Sequence, residues 1–439
     1  MYLSRTIDEE LLRWKEEPDR KVLLVRGARQ VGKSSSVRQL GKQFDSYLEV
    51  NFEEHRRVHS LFEGDLTPGE LCEGLSVMFD VDIKPGKTLL FFDEIQACVS
   101  AISSLRFFYE KMPDLHVIAA GSLFEFALAE VPSFGVGRTR SIFIYPLSFQ
   151  EFLDANGQTG LKNMIKTAGP DSPLPGGIHE KALMLLKKFL LLGGMPEVVA
   201  KYVTGKDIRK CQAALDDLIS SLNTDFSKYK YRMDVSRLRE VFASVVQQSG
   251  GKFVYKKVSQ DINTLQIKEA LEMLIMAGMV IPATHTSANG LPLGAGANPK
   301  LRKMLLIDTG MFQRILKLDI SELLFADEFN LVNKGAIAEQ FTGLELIKYS
   351  SPFSQEGLFY WRREALNSNA EIDYLIQKKS QMVPIEVKSG TKGSMNSLFL
   401  FLSEKKAEYG IRVSLENFTK YEKIKVFPLY AVANILQNE

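Results

Sequence analysis

The sequence predicts an α/β protein of several domains, with a parallel sheet in its first third and a second α/β fold in its last third. At 439 residues the chain is longer than one hydrophobic core of ordinary size supports, so we expect roughly two to four domains. In the first third, short apolar runs end in glycine, hydroxyl or acidic residues, as buried parallel strands that lead to a ligand site do. In the last third, further strand-like runs carry acidic residues.

The composition is typical of a soluble globular protein. Apolar residues make up 45% of the chain and charged residues 25%, and no apolar stretch reaches membrane-spanning length. The amino terminus is charged rather than apolar, so we expect no signal peptide and a cytoplasmic location. Three widely spaced cysteines predict buried thiols rather than a disulfide framework or a zinc site. The net charge of +2 does not indicate a polyanion partner, so any nucleic-acid site must be local.

A phosphate-binding loop is the clearest motif. The apolar run at residues 22–26 leads into GARQVGKS at residues 27–34, which has the Walker A spacing GxxxxGK[ST]. In such a loop, glycines let backbone N–H groups turn toward a phosphate, and the following helix points its positive end at it. We expect Lys33 to pair with the outer phosphates of ATP and Ser34 to bind Mg²⁺. The predicted nucleotide contacts are Gly27, Ala28, Arg29, Gln30, Val31, Gly32, Lys33, Ser34 and Ser35.

A second apolar run, residues 88–92, ends in the acidic pair Asp93 and Glu94. An isolated acidic pair after a strand is more often a helix N-cap, but the upstream phosphate-binding loop favours a catalytic role. We expect Asp93 to hold Mg²⁺ through water. Glu94 points elsewhere in a strand and is predicted to orient and polarise the attacking water.

Two further residues are candidates for catalysis beside Lys33 and Glu94. Ser122 follows a third apolar run, residues 116–120, at the carboxyl end of a predicted strand, where open α/β sheets keep their ligands. It could sense the γ-phosphate or be an ordinary loop serine. Arg138 precedes a fourth strand-like run and could reach the phosphates of a neighbouring subunit as an arginine finger, although exposed arginines are common.

The middle of the chain is predicted to be helical and then winged-helix-like. Residues 161–235 carry helical periodicity, interrupted by the sharp turn GGMPE at 193–197, and predict a helical lid. Residues 236–315 predict helices followed by two strands around a glycine-rich hairpin, the order of a winged helix. Its third helix complements phosphate poorly, which favours contact with a protein. The basic and aromatic residues at 228–232 could contact DNA or form a solvated connector.

The last third carries a pattern of carboxylates and lysine. Strand-like runs hold Asp373 on one segment and Glu386 and Lys388, which share a face, on the next. Glu339 lies on the preceding helical pattern. Such a set can bind Mg²⁺ and activate water against a phosphodiester, although a surface salt bridge gives the same pattern.

Five segments together resemble a known family: RGARQVGKSS, FFDEIQ, GVGRTRSIFIYPLSFQEFL, GGMPE and YWRREALNSNAEIDYLI…PIEVKSG. They are similar to prokaryotic ATPases that pair an AAA+ type (AAA_14) P-loop NTPase domain with a DUF4143 domain. The last segment resembles the restriction-endonuclease-like PD-(D/E)xK fold, without its proline-aspartate opening, since Asp373 follows Glu371 and Ile372. The resemblance implies four domains: a P-loop ATPase (1–160), a helical lid (161–235), a winged-helix-like domain (236–315) and a restriction-endonuclease-like domain (316–439).

Three functions are consistent with these motifs. The first is hydrolysis of ATP to ADP and phosphate, coupled to conformational change of the carboxyl-terminal domains and acting on DNA or on a protein partner. The second is a metal-dependent nuclease gated by ATP, which requires Glu339, Asp373, Glu386 and Lys388 to converge on one cation. The third is a regulator that binds nucleotide without hydrolysing it. An oligomer is compatible with each.

Overall fold

The chain forms two compact units. A computed structural model describes residues 1–64, 67–121, 137–229, 233–320, 322, 334–355, 357–364, 370–391 and 393–437. The first unit consists of residues 1–145, 276–278 and 352–355, and the second consists of residues 146–275, 279–351 and 356–439.

A parallel sheet is the centre of the first unit, as the sequence predicts. Among the described residues, neighbouring strands follow the order β2-β3-β4-β1-β5, and every neighbouring pair is parallel. Strands β3 and β4 are buried at every position, as their continuous apolar runs require. The strands are β1 (Val22–Arg26), β2 (Ser46–Asn51), β3 (Thr88–Asp93), β4 (His116–Ala120) and β5 (Thr139–Phe143).

The helices of the first unit have local sequence reasons for their starts. They are α1 (Ile7–Glu16), α2 (Lys33–Gly41), α3 (Pro68–Phe79) and α4 (Val99–Lys111). Helix α3 begins with a capping box, in which the Thr67 side chain accepts from the backbone N–H of Glu70 and the Glu70 carboxylate accepts from the N–H of Thr67. Proline suits the first position of this helix, because the backbone N–H that proline lacks would have no intrahelical partner there.

The second unit begins with a run of helices. They are α5 (Phe149–Ala155), α6 (Thr159–Thr167), α7 (Gly176–Leu192), α8 (Pro196–Gly205), α9 (Ile208–Asp225), α10 (Val235–Gln247) and α11 (Thr264–Met276), followed later by α12 (Thr309–Ile315), α13 (Lys334–Lys348), α14 (Asn396–Lys405) and α15 (Val432–Gln437). The helices that the sequence predicts as a lid of the ATPase domain therefore belong to the second unit. Hydrophobic periodicity predicts a helix but not the surface on which it packs.

The predicted turn at GGMPE lies between α7 and α8. Gly193 has φ +74°, and a Cβ atom there would lie 2.1 Å from Oδ1 of Asp308. The backbone N–H of Gly194 donates to Oδ2 of the same carboxylate at 2.6 Å, and Asp308 also caps α12 by accepting from Met311 N–H. One buried carboxylate therefore holds this turn in place, which favours a fixed turn over a hinge.

A mixed sheet runs through the second unit. Its order among the described residues is β12-β13-β11-β10-β9-β8-β6-β7. Strand β6 pairs with β7 antiparallel and with β8 parallel. The strands are β6 (Val280–Thr286), β7 (Ala297–Leu306), β8 (Leu358–Arg362), β9 (Glu371–Lys378), β10 (Gln381–Val387), β11 (Gly410–Ser414), β12 (Thr419–Tyr421) and β13 (Ile424–Pro428).

This sheet differs from the predicted separation of a winged-helix-like domain from the carboxyl-terminal domain at residue 315. Strand β6 is buried at most of its positions and pairs with β7 on one side and with β8 on the other. The hairpin β6–β7 therefore forms one end of the same sheet as β8. A strand such as β6 cannot sit at an exposed edge without leaving ladder groups unpaired.

The cysteines are buried free thiols, as predicted: Cys72, Cys98 and Cys211. Among the helices that the structure describes, none has both the length and the apolar character needed to cross a bilayer.

Candidate functional site

The loop between β1 and α2 has the conformation of a phosphate cradle. Gly27 has φ +140° and Gly32 has φ +99°, values that side-chain-bearing residues rarely adopt. A Cβ atom at Gly27 would lie 2.2 Å from the carbonyl oxygen of Ile144, so only glycine fits. Gln30, one of the four residues between them, also has a positive φ of 61°. These positions turn the backbone around the start of α2, where unpaired N–H groups favour an anion.

Lys33 folds its ammonium group back into this loop. Its Nζ donates to the carbonyl oxygens of Gly27, at 2.9 Å, and Ala28, at 2.7 Å. Only 7% of the residue is exposed. Burial lowers the pKa of Lys33 to about 8, opposed by the nearby charges of Glu94 and Asp93. The loop therefore holds a buried cation whose hydrogen-bond partners are neutral carbonyls.

Ser34 and Asp93 come together beside the loop. The Ser34 hydroxyl donates to Oδ2 of Asp93 at 2.8 Å, although 59 residues separate them along the chain. Burial raises the pKa of Asp93, and the hydrogen bond from Ser34 acts in the opposite direction. A hydroxyl and a carboxylate in contact offer the hard oxygen donors that Mg²⁺ prefers, so these residues fit the predicted metal ligands.

Glu94 leaves the strand in a special backbone conformation. Its φ of 47° and ψ of 41° lie in the left-handed region, which is uncommon for a residue with a side chain. The turn separates its carboxylate from that of Asp93, whose Oδ1 accepts from the Glu94 backbone N–H at 3.0 Å. Gln96 donates from Nε2 to Oε2 of Glu94 at 2.6 Å. Gln96 is a residue that sequence reasoning missed, because only the 3₁₀ turn Ile95–Ala97 brings it against Glu94.

Of the remaining two catalytic candidates, only Arg138 lies within the described residues. Arg138 lies just before β5 and donates from Nε to Oε1 of Glu110 on α4 at 2.9 Å, with about half of its side chain exposed (48%). Ser122 lies outside the described residues.

A second cluster of charges lies in the second unit, around a residue that sequence reasoning also missed. Lys303 on β7 is 2% exposed, and its Nζ lies 2.7 Å from Oε1 of Glu339 on α13. The same nitrogen contacts Oε1 of Glu371 and lies 3.6 Å from Oδ1 of Asp373, both on β9. The three carboxylates outweigh burial and raise the pKa of Lys303, while burial raises that of Glu339 to about 7 against the effect of Lys303.

The other two predicted residues of this cluster pair with each other. Nζ of Lys388, the residue directly after β10, lies 2.6 Å from Oε1 of Glu386, so the two side chains do lie on the same side. Asp373 lies between Lys303 and the pair of Glu386 and Lys388. Its Oδ1 lies 3.6 Å from Nζ of Lys303, and its Oδ2 accepts from the backbone N–H of Val387 at 2.7 Å. Burial raises the pKa of Asp373 and of Glu386. Among the described residues, no group of three or more His, Cys, Asp or Glu side chains is arranged to hold a metal ion.

Solved structures similar to this chain include a Walker-type ATPase and an Orc1 protein. A Walker-type ATPase of Pyrococcus abyssi is 13% identical, with 72% of this chain and 96% of that one covered, at a TM-score of 0.45. The Orc1 protein of Aeropyrum pernix in complex with DNA is 13% identical, with 73% and 94% covered, at 0.29. Because both TM-scores lie below 0.5, these structures carry no argument about the function of this chain, which is argued from its motifs and their geometry.

Family models match three parts of the chain. Residues 19–153 match an AAA domain (AAA_14), residues 184–322 match a domain of unknown function (DUF8612), and residues 334–432 match another (DUF4143). No curated protein matches the chain. Separate parts of the chain are therefore similar to an AAA domain near the amino terminus and to DUF4143 near the carboxyl terminus.

Proposed function

We propose that the protein is a Mg²⁺-dependent ATPase that binds ATP in the loop of residues 27–34 and hydrolyses it to ADP and phosphate. The observation that carries this proposal is the arrangement at the start of α2. The Lys33 ammonium lies inside the loop on two backbone carbonyls, and the Ser34 hydroxyl lies against the Asp93 carboxylate. These are the charges and oxygen donors that a triphosphate with its metal requires.

Binding would exchange the partners of Lys33. In the proposed complex its ammonium leaves the carbonyls of Gly27 and Ala28 for phosphate oxygens, which are charged and accept stronger hydrogen bonds. Backbone N–H groups of the loop and the amino end of α2 add to this attraction. Ser34 and Asp93 would hold Mg²⁺, which neutralises phosphate charge when bound.

Hydrolysis would depend on Glu94. Its carboxylate accepts a hydrogen bond from the attacking water and takes a proton as the water oxygen bonds to the γ-phosphorus. The bond to the β–γ bridging oxygen breaks at the same time, and ADP and phosphate result. The hydrogen bond from Gln96 would fix the Glu94 carboxylate for this step. Arg138 is the proposed finger for the phosphates of a neighbouring copy, and Ser122 the proposed γ-phosphate sensor.

The second unit would respond to this cycle. We propose a winged-helix-like arrangement for α10, α11, β6 and β7, supported by the backbone bridge between Lys252 and Lys303. We propose a nuclease-like fold for the order α13, β8, β9, β10, α14 and β11, supported by antiparallel β8–β9–β10 followed by a parallel β10–β11 pair. DNA and a protein are the two candidate partners.

Two variants separate binding from hydrolysis. ATP affinity and phosphate release would be measured with Mg²⁺ for the parent, Lys33→Ala and Glu94→Gln, with Lys42→Ala as the matched control on an exposed lysine next to α2. We expect Lys33→Ala to lose binding. Glu94→Gln should bind ATP normally and release phosphate at least about 100-fold more slowly, the usual contribution of a positioned base. Parent-like phosphate release by Glu94→Gln would overturn the role given to that carboxylate.

A further inference from the structure

In the charge cluster of the second unit, the buried Lys303 ammonium is the cation that the carboxylates surround. A lysine that is only 2% exposed is rare unless its charge is paired, because the charged form loses its water. Here the ammonium faces oxygens of Glu339, Glu371 and Asp373, within 3.6 Å or less of each. The ring of Tyr360 lies 5.2 Å from the same nitrogen and forms an apolar wall.

These partners come from separate elements of the second unit. Glu339 lies on α13, Glu371 and Asp373 on β9, and Lys303 on β7. The ammonium thus ties a helix and two strands together at one point, which is what a structural metal ion does with carboxylate ligands. Strand β7 stands at one end of the sheet with β6 and β8 between it and β9, so the lysine and the acidic side chains meet across two intervening strands.

The Lys303 ammonium also occupies the point on which two of the predicted metal ligands converge. Glu339 and Asp373 are two of the carboxylates that the sequence predicts as metal ligands, and both direct an oxygen at this nitrogen. Oxygens that touch an ammonium lie farther from its centre than the roughly 2.1 Å that Mg²⁺ demands. A second positive charge beside the ammonium would be repelled by it.

We propose that Lys303 is the resident cation of this cluster, and that its ammonium group takes the place of a divalent metal ion and closes the site to Mg²⁺ and Mn²⁺. The DUF4143 domain then keeps a nuclease-like carboxylate arrangement without metal-dependent cleavage at it. This inference is independent of ATP hydrolysis, because it concerns the second unit alone.

Removal of the ammonium should turn the cluster into a metal site. In Lys303→Ala the three carboxylates lose their counter-ion, and a divalent cation can enter the space of the missing side chain. We expect nucleotide-free Lys303→Ala to bind one more Mn²⁺ per chain than the parent, counted by electron paramagnetic resonance of free Mn²⁺. Mn²⁺ should also raise the melting temperature of the variant more than that of the parent.

Two matched variants show whether the gain comes from this cluster. Lys300→Ala removes an exposed lysine from the same strand and should gain no Mn²⁺. Lys303→Ala combined with Glu339→Gln should lose the gained ion. A folded Lys303→Ala that binds no additional Mn²⁺ would contradict the proposal, because the ammonium would then not occupy a metal position.

The parent fold provides a test that does not require Lys303→Ala to fold. Mn²⁺ binding by the parent and by Glu339→Gln should be the same, since neither holds a metal at this cluster. If the parent binds a Mn²⁺ that Glu339→Gln loses, the site is open to metal and Lys303 is not its resident cation.

Discussion

Lys33 in the first unit and Lys303 in the second are both buried beside acidic residues, and the two lysines differ in what satisfies them. Nζ of Lys33 is held by backbone carbonyls, and burial lowers its pKa to about 8. Nζ of Lys303 is held by carboxylates, which raise its pKa against the effect of burial. A buried cation on neutral partners gains from an incoming anion, whereas one on carboxylates has its counter-charge already. The comparison gives the physical reason for proposing an ATP site in one unit and a cluster closed to metal in the other.

The largest expected effect is on stability, and it should distinguish the two lysines. Lys303→Met leaves three carboxylates without their cation, and we expect it to lower the free energy of unfolding by about 3–5 kcal/mol while ATP affinity stays unchanged. Lys33→Met removes hydrogen bonds to neutral carbonyls and should cost about 1–2 kcal/mol, while abolishing ATP binding. Denaturant unfolding and ATP titration of both variants test this. Equal losses of stability would break the comparison.

The next effect concerns the shape of the phosphate cradle. Gly27→Ala would place a Cβ atom 2.2 Å from the carbonyl oxygen of Ile144, so we expect the loop to shift and ATP affinity to fall by roughly 100-fold, as for a lost charged hydrogen bond or two. Gly86→Ala is the control, because Gly86 also has a positive φ but its Cβ atom would meet no atom within 4 Å. It should bind ATP like the parent. Similar losses in both would mean that strain at positive φ, not the collision, is responsible.

A third effect is the pH dependence of the first unit. His116 donates from Nε2 to the Lys15 carbonyl at 3.1 Å and packs edge-on against Phe44 and Trp14. Burial lowers the pKa of His116 to about 4. The unfolded chain, with a pKa near 6.5, therefore takes up a proton first as the pH falls. The free energy of unfolding that the neutral ring contributes is therefore complete above pH 6.5. About 2 kcal/mol of this free energy should be lost between pH 7 and pH 5.

Unfolding of the parent and of His116→Gln over this pH range measures the effect. The variant should lose that part of the slope. An identical slope in both proteins would assign the pH dependence to other groups.

The smallest expected effect is on the orientation of the Glu94 carboxylate, the proposed catalytic base. Gln96→Ala removes the hydrogen bond to Oε2 of Glu94, and we expect kcat to fall by roughly 10-fold with KM for ATP unchanged, because only the hydrolytic step uses that carboxylate. Steady-state kinetics provide the readout. A rise in KM with unchanged kcat would place Gln96 in nucleotide binding instead.

The loop conformation at residues 27–34 could be predicted because its sequence signals are local. A buried strand, a glycine-rich loop and a helix start lie within one short segment, and Asp93 ends a second apolar run of the same kind. The contact between Ser34 and Asp93 follows once both strands belong to one parallel sheet, since their carboxyl ends meet at one edge.

The charge cluster could be predicted only in part. Glu339, Asp373, Glu386 and Lys388 have a recognisable pattern, but Lys303 lies in the strand sequence KLRKMLL, where nothing separates it from Lys300. Its burial depends on β7 joining the large sheet, through pairing of β6 with both β7 and β8. Non-local strand pairing leaves no signal in hydrophobic periodicity, which is also why the hairpin was expected in a separate domain.

Steady-state phosphate release from excess ATP tests the central claim most directly, with Mg²⁺ or with a chelator, and with single- or double-stranded DNA or none. The account predicts many phosphates released per chain with Mg²⁺, release that stops with the chelator, and acceleration by DNA if DNA is the partner. ATP binding without phosphate release under any of these conditions would contradict it and leave a nucleotide-gated regulator.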